Sequence, residues 1–106
     1  MLEQDDNLQR VEGRLSAFAG CGRMLILNAV NVPERFRGQG LGLLWQKNCV
    51  ENSRAQGYDV IICTVRNSNL AQRNIMHKLK FKSIFQFNNS QTGNLIHIFA
   101  LNLQIL

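Results

Sequence analysis

The sequence predicts a mixed α/β fold. One mostly antiparallel twisted sheet carries a central parallel strand pair, in the order strand-strand-helix-strand-helix-strand-strand. Three observations carry this expectation. An apolar run from Met24 ends at Pro33, which has no N–H to give to a ladder. Leu41 to Ala55 then reads as a helix, with no proline and no glycine beyond Gly42 in its first turn. Tyr58 to Val65, rich in β-branched residues, reads as the next strand. A strand, a helix and a strand in that order form a right-handed crossover with the strands parallel.

The remaining elements follow in order. Residues 1 to 9 are polar and are expected to fray. Val11 to Phe18 alternates in part, as one strand or as two short ones broken at Gly13. Gly20-Cys21-Gly22 turns the chain into an antiparallel neighbour, Met24 to Val32. Met24 to Leu27 is apolar on both faces, as a central strand should be. The first helix is expected to bury Leu41, Leu44, Trp45 and Cys49 and to turn Lys47, Glu51, Asn52 and Arg54 to water. Gly57 suits the left-handed position that ends it. Asn67-Ser68-Asn69 is a capping cluster for a second helix, Leu70 to Leu79, with Lys78 and Lys80 favouring its C-terminal dipole. Phe81 to Asn88 and Asn94 to Leu103 are two more strands around the turn Asn89 to Gly93. No repeat or linker divides the chain, so residues 1–106 are read as one domain.

A chain of 106 residues, 45% of them hydrophobic, can bury one modest core. No apolar run is long enough to span a membrane, and no signal peptide is visible. Cys21, Cys49 and Cys63 are odd in number and lack a Cys-x-x-Cys pair. They read as reduced thiols in a cytoplasmic protein, with no metal site. The net charge of +5 is unevenly placed. Glu3, Asp5, Asp6 and Glu12 lie at the start, whereas no acidic residue follows Asp59. Arg66, Arg73, Lys78, Lys80 and Lys82 give the second half a field that suits a polyanionic ligand.

The bend between the first parallel strand and the first helix carries the chemistry. Gly38, Gly40 and Gly42 let the backbone approach a ligand, and the helix start behind them presents unpaired N–H groups. The spacing is neither Gly-Lys-Ser/Thr nor Gly-x-Gly-x-x-Gly. Arg37-Gly38-Gln39-Gly40-Leu41-Gly42, with Val32-Pro33-Glu34 ahead of it, fits Arg/Gln-x-x-Gly-x-Gly/Ala. That run resembles the acetyl-coenzyme A loop of the GNAT acetyltransferase superfamily. A second stretch agrees. Val65-Arg66-Asn67-Ser68-Asn69, then Met76-His77-Lys78-Leu79-Lys80-Phe81, looks like the family's Val-x-x-x-Asn and Tyr-x-Lys-x-Gly-Phe. The resemblance covers about Val11 to Leu103 and is tight from Leu27 to Phe81.

The resemblance implies a coenzyme A site in a V where the parallel strands splay apart. The amides of Arg37, Gly38, Gln39, Gly40, Leu41 and Gly42 would hold the pyrophosphate. The backbone of Val30, Asn31 and Val32 would pair with the pantetheine arm, and the Asn69 side chain would bond it from the other side. The implied activity is an acetyl-CoA-dependent N-acyltransferase, in which a small amine or a peptide amine attacks the thioester directly.

Three departures bear on this. Only about twenty residues precede Met24, where the family usually has a strand and two helices. Met76 stands where a tyrosine acid is common, and a thioether donates no proton. Lys80 replaces the glycine before Phe81. His77, His97, Cys63 and Tyr58 are more simply read as surface or packing residues, and no catalytic residue is assigned. Two other functions compete: a CoA-binding protein without turnover, and a basic nucleic-acid-binding module, which ranks last because no stacked aromatic platform is evident. A homodimer is expected, since a shortened N-terminal half would leave apolar sheet uncovered.

Overall fold

A computed structural model describes residues 12–19 and 22–104. The acidic Glu3, Asp5 and Asp6, the residue Val11 and the bend at Gly20-Cys21 lie outside the described residues. Five strands form one sheet: β1 (Glu12–Ala19), β2 (Arg23–Asn31), β3 (Val60–Arg66), β4 (Lys82–Asn88) and β5 (Leu95–Asn102). Their order is β1-β2-β3-β5-β4. Only β2 and β3 are parallel; the other three pairings are antiparallel. Helix α1 (Leu41–Ala55) connects β2 to β3, and helix α2 (Leu70–Lys78) connects β3 to β4. The expected order of elements therefore stands, with strand ends displaced by one or two residues.

Alternation along the strands divides the sheet into two faces. Leu25, Leu27, Ile61, Cys63, Val65, Phe99 and Leu101 are buried on one of them. Val50 of α1 and Met76 of α2 belong to the same core cluster, so both helices cover that face. β1 is unbroken at Gly13, and the bulge opposite it lies in β2: Glu12 pairs with Asn31 and Arg14 with Asn28, so two β2 residues oppose one of β1. A Cβ at Gly13 would lie 2.4 Å from the Trp45 ring, so the missing side chain makes room for the indole.

Helix α1 buries a different stripe from the one its apolar residues suggest. Leu41, Gln46, Val50 and Ser53 are buried, while Leu44, Trp45 and Cys49 are half-buried. The reason is α2. A polar pair across the two helices, Gln46 with Gln72, turns α1 so that Gln46 faces inward. The expected water-facing residues are close: Lys47, Glu51, Asn52 and Arg54 are exposed. Gly57 has φ +82, and the N–H groups of Gly57 and Tyr58 reach back to the carbonyls of Arg54 and Ser53. This is a Schellman ending. Tyr58 then packs under the Arg23 guanidinium, 4.1 Å from its ring centre.

Helix α2 closes in the same way without the glycine. Phe81 N–H bonds Met76 O at 2.9 Å and Lys80 N–H bonds His77 O at 3.1 Å. Lys80 takes φ 71, the one positive φ at a non-glycine among the described residues. No described helix is long and apolar enough to cross a membrane.

Candidate functional site

The parallel ladder is short. β2 and β3 pair from Met24↔Val60 only to Leu27↔Cys63. Beyond that, β2 stays with β1 as far as Asn31, and β3 stays with β5 as far as Arg66↔Ile96. The two strands splay, and the β2 backbone from Asn28 to Asn31 has no ladder on its β3 side. An open strand edge of this kind binds an extended chain through backbone bonds.

The bend after β2 begins with Pro33 and one short 3₁₀ turn, Glu34–Phe36. Phe36 N–H bonds Pro33 O at 2.8 Å, and Arg37 N–H bonds Glu34 O at 3.1 Å. The Arg37 amide is thus engaged within the turn, because its carbonyl partner lies three residues back. Its side chain also turns back, with Nε donating to Val32 O at 2.8 Å, which ties the bend to the strand end. The expected cradle therefore starts one residue later. From Gly38 to Leu43, no described carbonyl or side chain takes the backbone N–H, and Leu44 N–H makes the first helical bond, to Gly40 O at 3.0 Å. Gly38 (φ +80) and Gly40 (φ +74) bend the chain so that these amides gather at the helix start. Gly42 serves a different need: a Cβ there would stand 3.3 Å from Val32 Cγ2 and 3.7 Å from Ile75 Cδ1.

A cavity of about 550 Å³ opens over this cradle, between the starts of α1 and α2. Of the residues the sequence singled out, Val32, Arg37, Gly38, Gly40, Leu41, Gly42 and Asn69 line it. Gln39 is exposed on the bend, and the backbone of Val30 and Asn31 belongs to the last part of β2, beyond its ladder with β3. Asn69 caps α2: its Oδ1 accepts from Gln72 N–H at 3.1 Å. Its Nδ2 has no partner among the described residues and stays available as a donor. The sequence reading missed Phe36, Leu43 and Gln46 on one wall, and Ala71, Gln72, Ile75 and Lys78 on the other. The spacing of Ala71, Ile75 and Lys78, four and then three, marks one face of a helix and was the available signal. Arg37 and Lys78 are the charged residues among the described residues of the lining. Backbone donors at a helix start, with Lys78 nearby, form an arrangement that can hold an anion.

The titratable candidates stand apart from it. Met76 is fully buried in the core. His77 is exposed, edge-on to Phe99. His97 is buried with both ring nitrogens engaged, Nε2 with Asn67 Oδ1 at 2.8 Å and Nδ1 with Ser83 Oγ at 3.2 Å. Burial pushes the Cys63 thiol up to about 11, against a weak opposing bond from Gln72, and burial likewise pushes Cys49 up to about 11. Both stay protonated near neutral pH. No group of three or more potential metal ligands occurs among the described residues.

An open mixed sheet with a short parallel pair, splayed strands and a glycine bend at a helix start is the GNAT fold. Solved structures show the same architecture. The NatC complex bound to Gag peptide and CoA matches with a TM-score of 0.78 at 14% identity, over 89% of this chain and 60% of that one. The ribosomal-protein-S18-alanine N-acetyltransferase from Escherichia coli matches with 0.72 at 18% identity, over 87% and 61%. An acetyltransferase of the GNAT family from Streptococcus pneumoniae matches with 0.74 at 16% identity, over 84% and 56%. This chain thus spans about 60% of the length of the first two neighbours. No family model and no curated protein matches the sequence.

Proposed function

We propose that this chain is an acyl-CoA-binding domain that acts as an acetyl-CoA-dependent N-acyltransferase. The observation that carries the reading is the run of amides from Gly38 to Leu43, which have no partner among the described residues and border a cavity that Lys78 also lines. Such a cradle fits a pyrophosphate. Val30, Asn31 and Val32 offer the open edge of β2 to the pantetheine arm, and Asn69 Nδ2 faces that arm across the cavity. Gln39, exposed at the tip of the bend, adds its backbone N–H to the cradle. The neighbours with this fold include one bound to CoA and a peptide, which supports the same cofactor and an amine or peptide-amine acceptor here.

Acetyl-CoA, when bound, supplies an acyl group already activated as a thioester. The protein's part is to hold and orient it. Neither Met76, His77, His97 nor the two protonated thiols offers an acid or base on the cavity lining. Transfer then relies on a neutral amine and on the low basicity of the leaving thiolate, whose thiol has a pKa of about 8.5. Activity should rise with pH as the acceptor amine loses its proton. The reduced thiols suit a cytoplasmic setting.

The second face of the sheet supports a homodimer. Ile26, Ile62, Ile96, Ile98, Phe85 and Phe87 share that face by register, and no described helix covers it. Phe85 and Phe87 are 60% and 40% exposed. Four strands about 4.8 Å apart and five residues of about 3.3 Å rise give roughly 320 Å² of footprint per copy. Two copies stacked face to face would share about 640 Å² of footprint, less than the roughly 1,200 Å² of a standard specific interface, so the expected dimer is a weak one. A sizing column run on wild type and on Phe85→Lys tests this; a wild-type monomer refutes it.

Calorimetry with acetyl-CoA tests the main reading. Binding is expected, and its absence at millimolar ligand refutes the coenzyme site. Thiol release across a panel of amines and peptides then separates a transferase from a protein that only binds.

A further inference from the structure

The cavity wall holds a polar pair with no part in the cradle. Gln46 on α1 is fully buried, and Gln72 on α2 is half-buried. Each amide serves the other. Gln46 Nε2 donates to Gln72 Oε1 at 3.0 Å, and Gln72 Nε2 donates to Gln46 Oε1 at 2.7 Å. Gln72 Nε2 also approaches Cys63 Sγ on the sheet at 3.9 Å.

A buried glutamine is an uncommon choice between two helices. Two apolar side chains of similar shape would be about as stable, because a satisfied buried amide adds little net energy. What the amide pair adds is direction. Two antiparallel hydrogen bonds fix both the separation and the rotation of the helices, whereas apolar side chains slide. The position of the pair makes that constraint relevant. Gln46 lies about one turn below the cradle residues Leu41 and Gly42. The backbone N–H of Gln72 is the one that Asn69 Oδ1 caps. A single connected path thus joins one ligand-facing helix start to the other: cap, Gln72, Gln46, then the first turn of α1.

We infer that the Gln46–Gln72 amide pair sets the width of the cavity between the amide cradle and Asn69, making both glutamines positioning residues for the coenzyme. This rests on the coenzyme reading above. The pair does not touch reacting atoms; it acts through the distance between the two groups that do the holding.

The test is a comparison of affinity with stability. Coenzyme A binding by calorimetry and thermal unfolding are measured for wild type, Gln46→Met, Gln72→Met, the double methionine variant, and a core control, Val50→Ala. The double variant should melt close to wild type yet bind about tenfold or more weakly, since residues in one hydrogen-bonded unit couple to that extent. The control should lose melting temperature and keep its affinity. In turnover, the KM for acetyl-CoA should rise with kcat at saturation unchanged. If a methionine variant does not fold, Gln72→Asn, which is too short to keep both bonds and adds no charge beside the cradle, gives the same readout. A double variant with wild-type affinity overturns this inference alone. Affinity that falls in step with melting temperature in every variant, the control included, overturns it too. A wild-type protein that binds no coenzyme overturns both this inference and the reading beneath it.

Discussion

Gly40 and Gly42 sit two residues apart in one bend, and the geometry predicts opposite results from the same change. At Gly40, φ is +74 and a Cβ would meet nothing within 4 Å. The cost of Gly40→Ala is therefore conformational, not steric. Holding an L-residue in the left-handed region costs about 1–2 kcal/mol. The unfolded chain loses freedom when glycine becomes alanine, which returns about 0.4–1 kcal/mol. A net loss of about 1 kcal/mol remains, or about 4–8 °C of melting temperature for a domain of this size. The alanine would relax by rotating the peptide between residues 40 and 41, which turns a cradle amide away from the ligand. At Gly42 the backbone is helical. Alanine there gains up to about 1 kcal/mol of helix propensity. That gain is opposed by the 3.3 Å contact with Val32 Cγ2, which requires a shift of a few tenths of an ångström. Gly42→Ala should thus be close to neutral in stability. The assay is thermal unfolding of both variants beside calorimetry with coenzyme A. Gly40→Ala should lose both stability and at least tenfold in affinity, about 1.4 kcal/mol. The reasoning fails if Gly40→Ala matches wild type in both readouts, or if Gly42→Ala proves the more damaging change.

Three further outcomes follow from single residues. Asn69→Ser keeps a capping oxygen for Gln72 N–H but removes the Nδ2 donor. Stability should hold within about 0.5 kcal/mol, while coenzyme affinity falls about fivefold, the worth of one hydrogen bond; equal affinity would exclude Asn69 from the site. Lys80→Gly removes the positive-φ strain at the end of α2. A gain of about 0.5–1 kcal/mol is expected by urea unfolding, and an unchanged midpoint would mean that the lysine side chain offsets its own strain. The Cys63 thiol is raised from 9.0 to about 11 by burial, so the folded state holds that proton more tightly than the unfolded state. Its contribution is complete below pH 9 and is lost as pH rises through about 11. A rise from 9.0 to about 11 corresponds to roughly 2–3 kcal/mol at most. Urea midpoints taken from pH 8 to pH 11 should show that fall in wild type and a shallower one in Cys63→Ala; parallel curves would refute the assignment.

Most of the fold is legible because local chemistry and long-range packing agree. Pro33 ends a strand, Gly57 ends a helix, and Asn69 starts one, each through backbone constraints that neighbours do not alter. The apolar run at Leu25 to Leu27 identified a strand in the interior of the sheet for the same reason. What the pattern does not reveal depends on partners distant in sequence. The inward turn of Gln46 follows from Gln72, twenty-six residues away, and an isolated glutamine reads as a surface residue. The engaged amide of Arg37 follows from a 3₁₀ turn that the residue types Glu34 to Phe36 do not announce. Lys80 is the reverse case. Its sequence argues against a left-handed helix end, yet the two bonds from Lys80 and Phe81 N–H outweigh a strain of about 1–2 kcal/mol.

The site itself depends on the divergence of two strands, and that divergence has a cause in the sheet. β3 is held by β5 to its last residue, while β2 is held by β1 on its other side. Each strand is drawn to its antiparallel neighbour once the parallel ladder ends at Leu27 and Cys63. The Arg37 side chain then fixes the far end of β2 by bonding Val32 O. Arg37→Ala should therefore loosen the bend without disturbing the core, since Arg37 is exposed and stands outside the core cluster. Hydrogen exchange at Gly38 to Leu43 should show little protection in either protein without ligand, because those amides lack partners among the described residues. Added coenzyme A should protect them strongly in wild type and weakly in Arg37→Ala. Amides already slow to exchange in ligand-free wild type would mean that the bend supplies its own acceptors, and the anion cradle would have to be abandoned.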